Sequence, residues 1–550
     1  MADKKGEKVK MEPDRILKGS RVAEIDRKCI NDGIDSKHLM NNAGSSVAKI
    51  IIEDFKGKKF VRDVKGIVVC GSGNNGGDGF VAAKDLIKSG MDIKVFYISL
   101  PEKFSPDCKY YFKEFASVGE DKLFYLDLEN KEIENIFRKE LAKSDFIVDA
   151  IFGTGLHGKE IHGPSRQVIG DINQAKRKNE SLTVYSVDIP SGVDSDSAKI
   201  LGCVVKADTT VTFGCKKLGL ANYPGADFAG RVRVADIGIP DKYFKEYEQI
   251  FEANLRWVSS RIPDKKPWTY KHEVGKLLVI AGSLGLTGAA AMTCLAAMRA
   301  GAGLVTLVCP WELNDIFEEK LTEVMTYPVE QTDEVTIHSD CLDEIIGLSE
   351  RFDALAIGPG LSRNPKTICL VRELLSKIKK PTVLDADGLC ALSGPREIGN
   401  EKDLDLSHVI ITPHAGELSA ILGRNSIDLG SRLEANLKVA KKYKLTSVLK
   451  GARTLITDSG GKTFINSTGD WALATAGTGD ILTGIIGSLL CQGMGFLDSA
   501  VCGAFIHGKS SDIMVKNTSR TSLMATDLLE GIKSVFLEIE KIKYHGGYKL

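Results

Sequence analysis

The sequence predicts an α/β protein of two three-layer αβα units in series, each built on a parallel sheet. Three observations carry this. At 550 residues the chain exceeds what one hydrophobic core usually serves. Between about residues 20 and 240, near-continuous apolar runs alternate with helical patterns, and the alternation resumes after a charged, proline-marked stretch at 240–272. Strands that are apolar on both sides belong to sheets covered on both faces, and such sheets bind ligands at the carboxyl ends of their strands.

In chain order, "MADKKGEKVKMEPDR" is charged, lacks the apolar core of a secretory signal, and reads as a frayed tail. The first unit then presents "GIVVC", "DIKVFYIS", "DFIVDAIF", "LTVYSVDI", "DTTVTF" and "RVRVADIG" as strands. The second presents "KLLVIAG", "GLVTLVCP", "DALAIGPG", "TVLDADG", "HVIITPH" and "SVLKG". The uncharged stretch 277–298 is long enough to suggest a membrane span, but Gly282, Gly285 and Gly288 divide it into a strand, a turn and an Ala-rich helix. No membrane partner is therefore expected. Lysine plus arginine equals aspartate plus glutamate at 73 each, which leaves no net field for nucleic acid. The 12 cysteines form no zinc-like spacing and read as reduced residues of a cytoplasmic protein.

Three stretches of the first unit carry candidate chemistry: "GSGNNGGDG" (71–79), "VDAIFGTGLHGKEIHGP" (148–164) and "VDIPSGVDSD" (187–196). Each follows a strand. The glycines of the first suit a loop with positive φ at a helix N-terminus, where backbone N–H groups converge on an anion; the helix itself is expected from "VAAKDLIKSG". The spacing differs from the dinucleotide fingerprint. Asn75 and Asp149 offer hard oxygen ligands, to which Ser191 adds another, and one carboxylate among neutral oxygens suits a monovalent cation. Asp188, at a strand end in a partly enclosed cleft, is the candidate for proton transfer.

Together with "LMNNAG" (39–44) and "TVTFGCKKLGL" (210–220), these motifs resemble, in order, the NAD(P)H-hydrate epimerase domain of the YjeF N-terminal type over residues 15–245. The resemblance implies a Rossmann-like domain that interconverts the R and S epimers of nicotinamide nucleotides hydrated at C6. It implies potassium on Asn75, Asp149 and Ser191. It places substrate against Asn74, Asn75, Gly76, Gly77 and Asp78, and against Gly153, Thr154, Gly155, Leu156, His157, Gly158 and Lys159, with Asp188 at the reacting ring.

In the second unit "ATAGTGDILTGIIGSLL" (474–490) is a glycine turn opening an uncharged helix, with Asp480 at the junction. Backbone N–H groups and the helix dipole there neutralise phosphate, and a carboxylate beside them can take the proton of a hydroxyl attacking phosphorus. "VLKGARTLI" sets Lys450 and Arg453 after a strand, suited to a nucleotide's phosphates, and "ITPHAGEL" places His414 and Glu417 at another strand end. A loop histidine also serves as an ordinary helix cap.

With "KHEVGKLLVIAGS", "TGAA", "RAGAGLVTL", "AIGPGL" and "VLDADGL", these stretches resemble the ADP/ATP-dependent NAD(P)H-hydrate dehydratase, a ribokinase-like fold, over residues 255–535. The resemblance implies that hydrolysis of ADP or ATP, with Mg²⁺, drives loss of water from the S epimers of NADHX and NADPHX. Gly360 and His414 would contact the hydrate, Lys450, Gly451, Ala452, Arg453, Thr454 and Gly479 the nucleotide, and Asp480 the reacting hydroxyl. One departure is Asp470-Trp471, where relatives usually show Asn-Pro. A homo-oligomer is expected. Two rivals share the motifs: a ribokinase-like small-molecule kinase, and a first domain that binds without catalysis.

Overall fold

The computed structural model describes residues 12–58, 60–156, 158–247, 249–266, 268, 270, 273–393, 405–428 and 430–544. The expected tail lies, up to residue 11, outside the described residues. The chain divides into two compact units, one of residues 15–248 and the other of residues 249–550 with 1–14.

In the first unit the strands are β1 (Asp14–Leu17), β2 (Lys65–Cys70), β3 (Asp92–Tyr97), β4 (Leu123–Tyr125), β5 (Phe146–Ala150), β6 (Thr183–Val187), β7 (Thr209–Phe213), β8 (Lys216–Lys217) and β9 (Arg231–Ala235). Seven of them form a wholly parallel sheet in the order β4-β3-β2-β5-β6-β7-β9, and β1 pairs with β8. Alternation within strands feeds two cores. Val68, Cys70 and Val148 pack with Leu39, Phe80 and Phe115 on one face. Ile67, Val69 and Ile147 pack with Phe137, Leu141 and Ile172 on the other. Both faces are thus helix-covered, which is why these strands read as continuous apolar runs.

The second unit carries β10 (Ile250–Glu252), β11 (Lys276–Ile280), β12 (Leu304–Pro310), β13 (Met325–Val329), β14 (Ala354–Ile357), β15 (Thr382–Leu384), β16 (Val409–Ile411), β17 (Thr446–Leu449), β18 (Leu455–Thr457) and β19 (Thr463–Ile465). Their order is β13-β12-β11-β14-β15-β16-β17-β18-β19-β10. Leu277, Val279 and Val305 pack against helices Thr287–Arg299 and Thr478–Cys491, while Leu278 and Ile280 are fully buried on the opposite side. The expectation of a parallel sheet holds except at β17-β18-β19, which run antiparallel. The connections from Leu449 to Leu455 and from Thr457 to Thr463 are too short for a parallel crossover, which takes a dozen or more residues. No described helix is long and apolar enough to cross a membrane; the 277–298 stretch is a strand, a turn and a helix.

Candidate functional site

In the first unit the cluster forms where β2, β5 and β6 end. The glycine-rich stretch departs from expectation. Its helix begins at Asn74, with Gly73 as N-cap, so Asn74 to Gly79 are the first helical turns rather than a loop. None of Gly71, Gly73, Gly76, Gly77 and Gly79 has positive φ. Glycine is required there for close approach: a Cβ would fall 1.9 Å from Ile151 O at Gly71, 2.0 Å from Gly71 O at Gly76, and 2.4 Å from Met40 Sδ at Gly77. The first two contacts press the helix N-terminus onto the ends of β2 and β5, and the third packs it against the helix Ser36–Phe55.

That packing leaves a cavity of about 760 Å³ lined by Asn74, Asn75, Asp78, Gly153, Thr154, Gly155, Leu156 and Asp188, among others. Gly76, Gly77, Gly158 and Lys159 are not on its wall. Lys159 instead donates its backbone N–H to Leu156 O at 3.0 Å. His157 lies outside the described residues. Asn74 accepts from Ser105 Oγ at 2.7 Å, whereas Asn75 is buried and its Nδ2 has no partner among the described residues.

Asp149 is fully buried in β5. Ser191 Oγ and N donate to it at 2.5 and 2.9 Å, Ser186 Oγ at 2.8 Å and Ile151 N at 3.3 Å. Burial pushes its carboxyl up, and these hydrogen bonds oppose the shift. Among the described residues no basic side chain pairs with it. Asp188 has φ +63°, a left-handed backbone that costs a non-glycine residue energy and that the surrounding bonds must hold. Its Oδ1 accepts from Lys217 Nζ at 2.5 Å, Thr212 Oγ1 at 3.0 Å and Phe213 N at 3.4 Å. Lys217, fully buried, also donates to Phe213 O at 2.9 Å. Asp78, on the cavity wall, has a carboxyl pushed well up by burial, with the nearby Asp188 adding to it.

In the second unit Gly477 caps the helix Thr478–Cys491 with φ +89°. Asp480 sits in its first turn, and burial together with Asp385 raises its carboxyl to about 7 against the pull of Lys450. Lys450 follows β17 and donates to Asp385 Oδ1 at 2.6 Å, while Thr483 Oγ1 donates to Asp385 Oδ2 at 2.7 Å. A Cβ at Gly479 would lie 3.5 Å from Lys450 Nζ and 3.7 Å from Asp385 Oδ2. The bare backbone of Gly479 thus leaves the ammonium beside the helix N-terminus, a positive corner suited to phosphate.

The segment 450–454 is gripped from below. Buried Arg432 donates to Ala452 O at 2.7 Å, Lys450 O at 3.3 Å and Leu449 O at 3.4 Å. Gly451 and Arg453 have positive φ, and Thr454 Oγ1 donates to Gly451 O at 3.0 Å. Gly358 comes so close to Asp385 O that a Cβ there would lie 1.8 Å away, and Gly360, at φ +63°, packs over Leu286. His414 caps the helix Ala415–Leu422: its Nδ1 accepts from Gly416 N and Glu417 N, and Glu417 bonds back to His414 N. Glu417 Oε2 lies 4.0 Å from Lys450 Nζ. Asp470 accepts from Ala472 N at 3.0 Å and Arg520 Nε at 2.8 Å, so the departure at 470–471 anchors its turn with an ion pair.

Two families match this chain: the one described as YjeF-related protein N-terminus over residues 36–219, and the one described as NAD(P)H-hydrate dehydratase over residues 277–534. A bifunctional NAD(P)H-hydrate repair enzyme of Moorella thermoacetica is 37% identical over 96% of this chain and 97% of its own. The chain belongs to the family of bifunctional NAD(P)H-hydrate repair enzymes. Another member of this repair-enzyme family, from Thermofilum pendens, is 35% identical over 93% of this chain and 95% of its own. Among solved structures, the ADP/ATP-dependent NAD(P)H-hydrate dehydratase of Bacillus subtilis, co-crystallised with ATP and Mg²⁺, is 27% identical. It covers 52% of this chain and 98% of its own, with a TM-score of 0.43.

Seen as a repair enzyme, the chain has residues in both clusters that its motifs do not single out. Lys217 stands inside a quoted motif, yet only the fold shows it buried against Asp188. Asp385 and Thr483 fix Lys450, and Arg432 fixes the segment that follows. The acidic end of "VLDADG" was the one available signal for Asp385. Nothing in helical spacing marks Arg432.

Proposed function

We propose that the first unit interconverts the R and S hydrates of NADH and NADPH, and that the second dehydrates the S form using ADP or ATP. The observation that carries the pairing is the near full-length similarity to bifunctional repair enzymes, which spans both clusters in one chain. In the first, substrate lies in the cavity between Asn74 to Asp78 and Gly153 to Leu156, with Asp188 against the reacting ring. The segment from Gly158 to Lys159 approaches from outside that wall.

Asn75, Asp149 and Ser191 are assigned to potassium. The donor set fits: a buried carboxylate has its hydrogen bonds satisfied by neutral groups, no basic side chain beside it among the described residues, and amide and hydroxyl oxygens as companions. A monovalent ion held by these three residues would supply the positive charge that no basic side chain provides there.

In the second cluster Lys450 and the N-terminus at Gly479 bind nucleotide phosphates, while Gly451 to Thr454 follow the nucleotide. Gly360 and His414 face the hydrate. Asp480 takes the proton of the C6 hydroxyl as its oxygen attacks the terminal phosphorus, whose bond to the bridging oxygen breaks with its electron pair to release AMP from ADP or ADP from ATP. Phosphate then leaves with the C6–O electron pair, and loss of a C5 proton restores the ring double bond. Among the described residues no group of three or more His, Cys, Asp or Glu could hold a metal ion, so magnesium is assigned to the nucleotide phosphates.

All 12 cysteines are free, which supports a reducing compartment such as the cytoplasm. Assembly into a homo-oligomer is proposed from the family resemblance alone and is read by light scattering. The deciding experiment incubates the protein with mixed hydrates and each nucleotide, following nicotinamide absorbance and phosphate together. Return of NADH with stoichiometric inorganic phosphate is expected. A stable phosphoester would instead mark a kinase.

A further inference from the structure

Asp26 stands outside every motif of the first unit. It lies on the helix Gly19–Asn31, and its carboxyl lines the same cavity as Asp188 and Lys217. Among the described residues no side chain or backbone group forms a hydrogen bond or ion pair with that carboxyl. Asp188 is placed differently: its three donors, the buried ammonium of Lys217 among them, all reach Oδ1. Glu24, Asp78 and Asp107 line the same wall, but Glu24 pairs with Arg21 and Asp78 is buried, so the tethered Asp188 and the half-buried, unattached Asp26 are the two groups placed for one proton transfer.

We propose that Asp26 is a second catalytic residue of the epimerase site, donating the proton that lets the C6 hydroxyl leave; this rests on the epimerase reading above. Protonated Asp26 gives its proton to the hydroxyl oxygen, the C6–O bond breaks, and its electron pair departs with water. The ring-nitrogen lone pair meanwhile forms the N–C6 double bond. A second water adds through its oxygen lone pair to the opposite face, the π pair returns to nitrogen, and Asp188 accepts the added water's proton. Bulk water in the open cleft carries a proton back from Asp188 to Asp26. One water leaves and one enters, so the product is the other epimer.

The surroundings of Asp26 support an acid that keeps its proton to a higher pH than an ordinary carboxyl. Burial raises its carboxyl to about 6, Lys217 works against the shift and Asp188 adds to it. The other titratable groups facing it are Asp78 on the helix Asn74–Lys88, Cys215 between β7 and β8, and Cys29 on its own helix. A group that must be protonated loses its function as pH rises through its pKa.

The test uses the full chain and follows R-to-S interconversion with the purified hydrates. Wild-type kcat/KM should fall about tenfold per pH unit above roughly pH 6. Asp26→Asn should lose at least about a hundredfold in kcat, bind the hydrate with unchanged Kd, and lack that alkaline limb. Asp26→Glu should restore part of the rate and the limb. Interconversion by Asp26→Asn within threefold of wild type, with the limb intact, overturns the proposal. If thermal unfolding shows that Asp26→Asn does not fold, a wild-type profile flat between pH 5 and 8 overturns it equally. A wild-type chain that binds the hydrates without interconverting them overturns the epimerase reading itself, and Asp26's role with it.

Discussion

Lys450 Nζ lies 2.6 Å from Asp385 Oδ1, and the aspartate, 1% exposed, turns its other oxygen to Thr483. A lysine after one strand is therefore held in place by a carboxylate after another. That fixed ammonium is what makes the N-terminus of the helix Thr478–Cys491 a phosphate corner rather than an ordinary helix start.

Asp385→Asn should remove the counter-charge and leave the lysine in a low-dielectric pocket. Breaking a buried pair by deleting one partner typically costs about 3 to 5 kcal/mol. The expected outcome is a lower unfolding temperature and weaker ADP and ATP binding, with hydrate interconversion unchanged. Calorimetry and nucleotide titration check it; an unchanged nucleotide Kd would separate Lys450 from the phosphates.

Asp480→Asn should abolish dehydration, by about 10² to 10⁴ in rate for a positioned base, while nucleotide binding survives. Its pKa of about 7 sets the sign of the pH dependence. As a base it acts ionised, so wild-type kcat/KM for dehydration should rise through about pH 7 and level above. Stability runs the other way. A carboxyl raised in the folded state binds its proton more tightly there than when unfolded, so its contribution falls as pH climbs from about 4 to about 7. Asp480→Asn should flatten that fall in thermal melts of the protein without nucleotide.

Replacing potassium by a bulky organic cation should slow epimerisation and leave dehydration alone. Asp149→Ala should abolish the potassium response, because it removes the carboxylate and strands the donors Ser186 Oγ, Ser191 N and Ser191 Oγ in the interior. The check is the initial rate of interconversion against potassium concentration. A full potassium response in Asp149→Ala would move the ion elsewhere.

Much of this was legible because both sheets are buried on both faces, so their strands announce themselves as apolar runs whose ends locate Asp149, Asp188 and Lys450, while the glycine turn opening an uncharged helix locates Asp480. Short strands escaped notice. β18 and β19 are three residues each, as β15 and β16 are, but they follow β17 within a few residues and without helices between them, so the strand–helix alternation does not mark them and their tight connections force antiparallel pairing. The glycines of 71–79 were visible, but their reason was not, since a backbone close approach and a positive φ ask for the same residue. Lys217, Arg432 and Asp385 acquire meaning only from partners elsewhere along the chain, and Asp26 only from the cavity it lines.

The end of the first unit gives a length test. Phe244 is buried in the first core, Tyr243 Oη donates to Asp32 at 2.5 Å, and Lys28 pairs with Glu246 at 3.0 Å. A chain cut after residue 248 should fold and interconvert the hydrates without nucleotide. One cut at Pro240 loses these contacts and should melt lower. Phe244→Ala alone should cost about 3 to 5 kcal/mol, the usual range for a buried phenylalanine. Equal melting of the two shortened chains would place the boundary earlier.

The close-approach reading of the glycine-rich helix start is tested by two alanines. At Gly76 a Cβ would sit 2.0 Å from Gly71 O, a backbone atom that cannot rotate aside. Gly76→Ala should therefore push the helix Asn74–Lys88 off the ends of β2 and β5, destabilising the first unit by about 1 to 3 kcal/mol or more. Because Asn75 follows the same backbone, epimerisation should fall with it. Gly170 supplies the contrast, since it lies inside the helix Gly163–Lys178 with nothing within 4 Å of its missing Cβ. There alanine should stabilise by up to about 1 kcal/mol through helix propensity. Melting curves of the two variants at fixed potassium decide the matter. If Gly76→Ala melts like Gly170→Ala, the glycines serve loop freedom after all, and the packing of that helix onto the strand ends is not what builds the cavity.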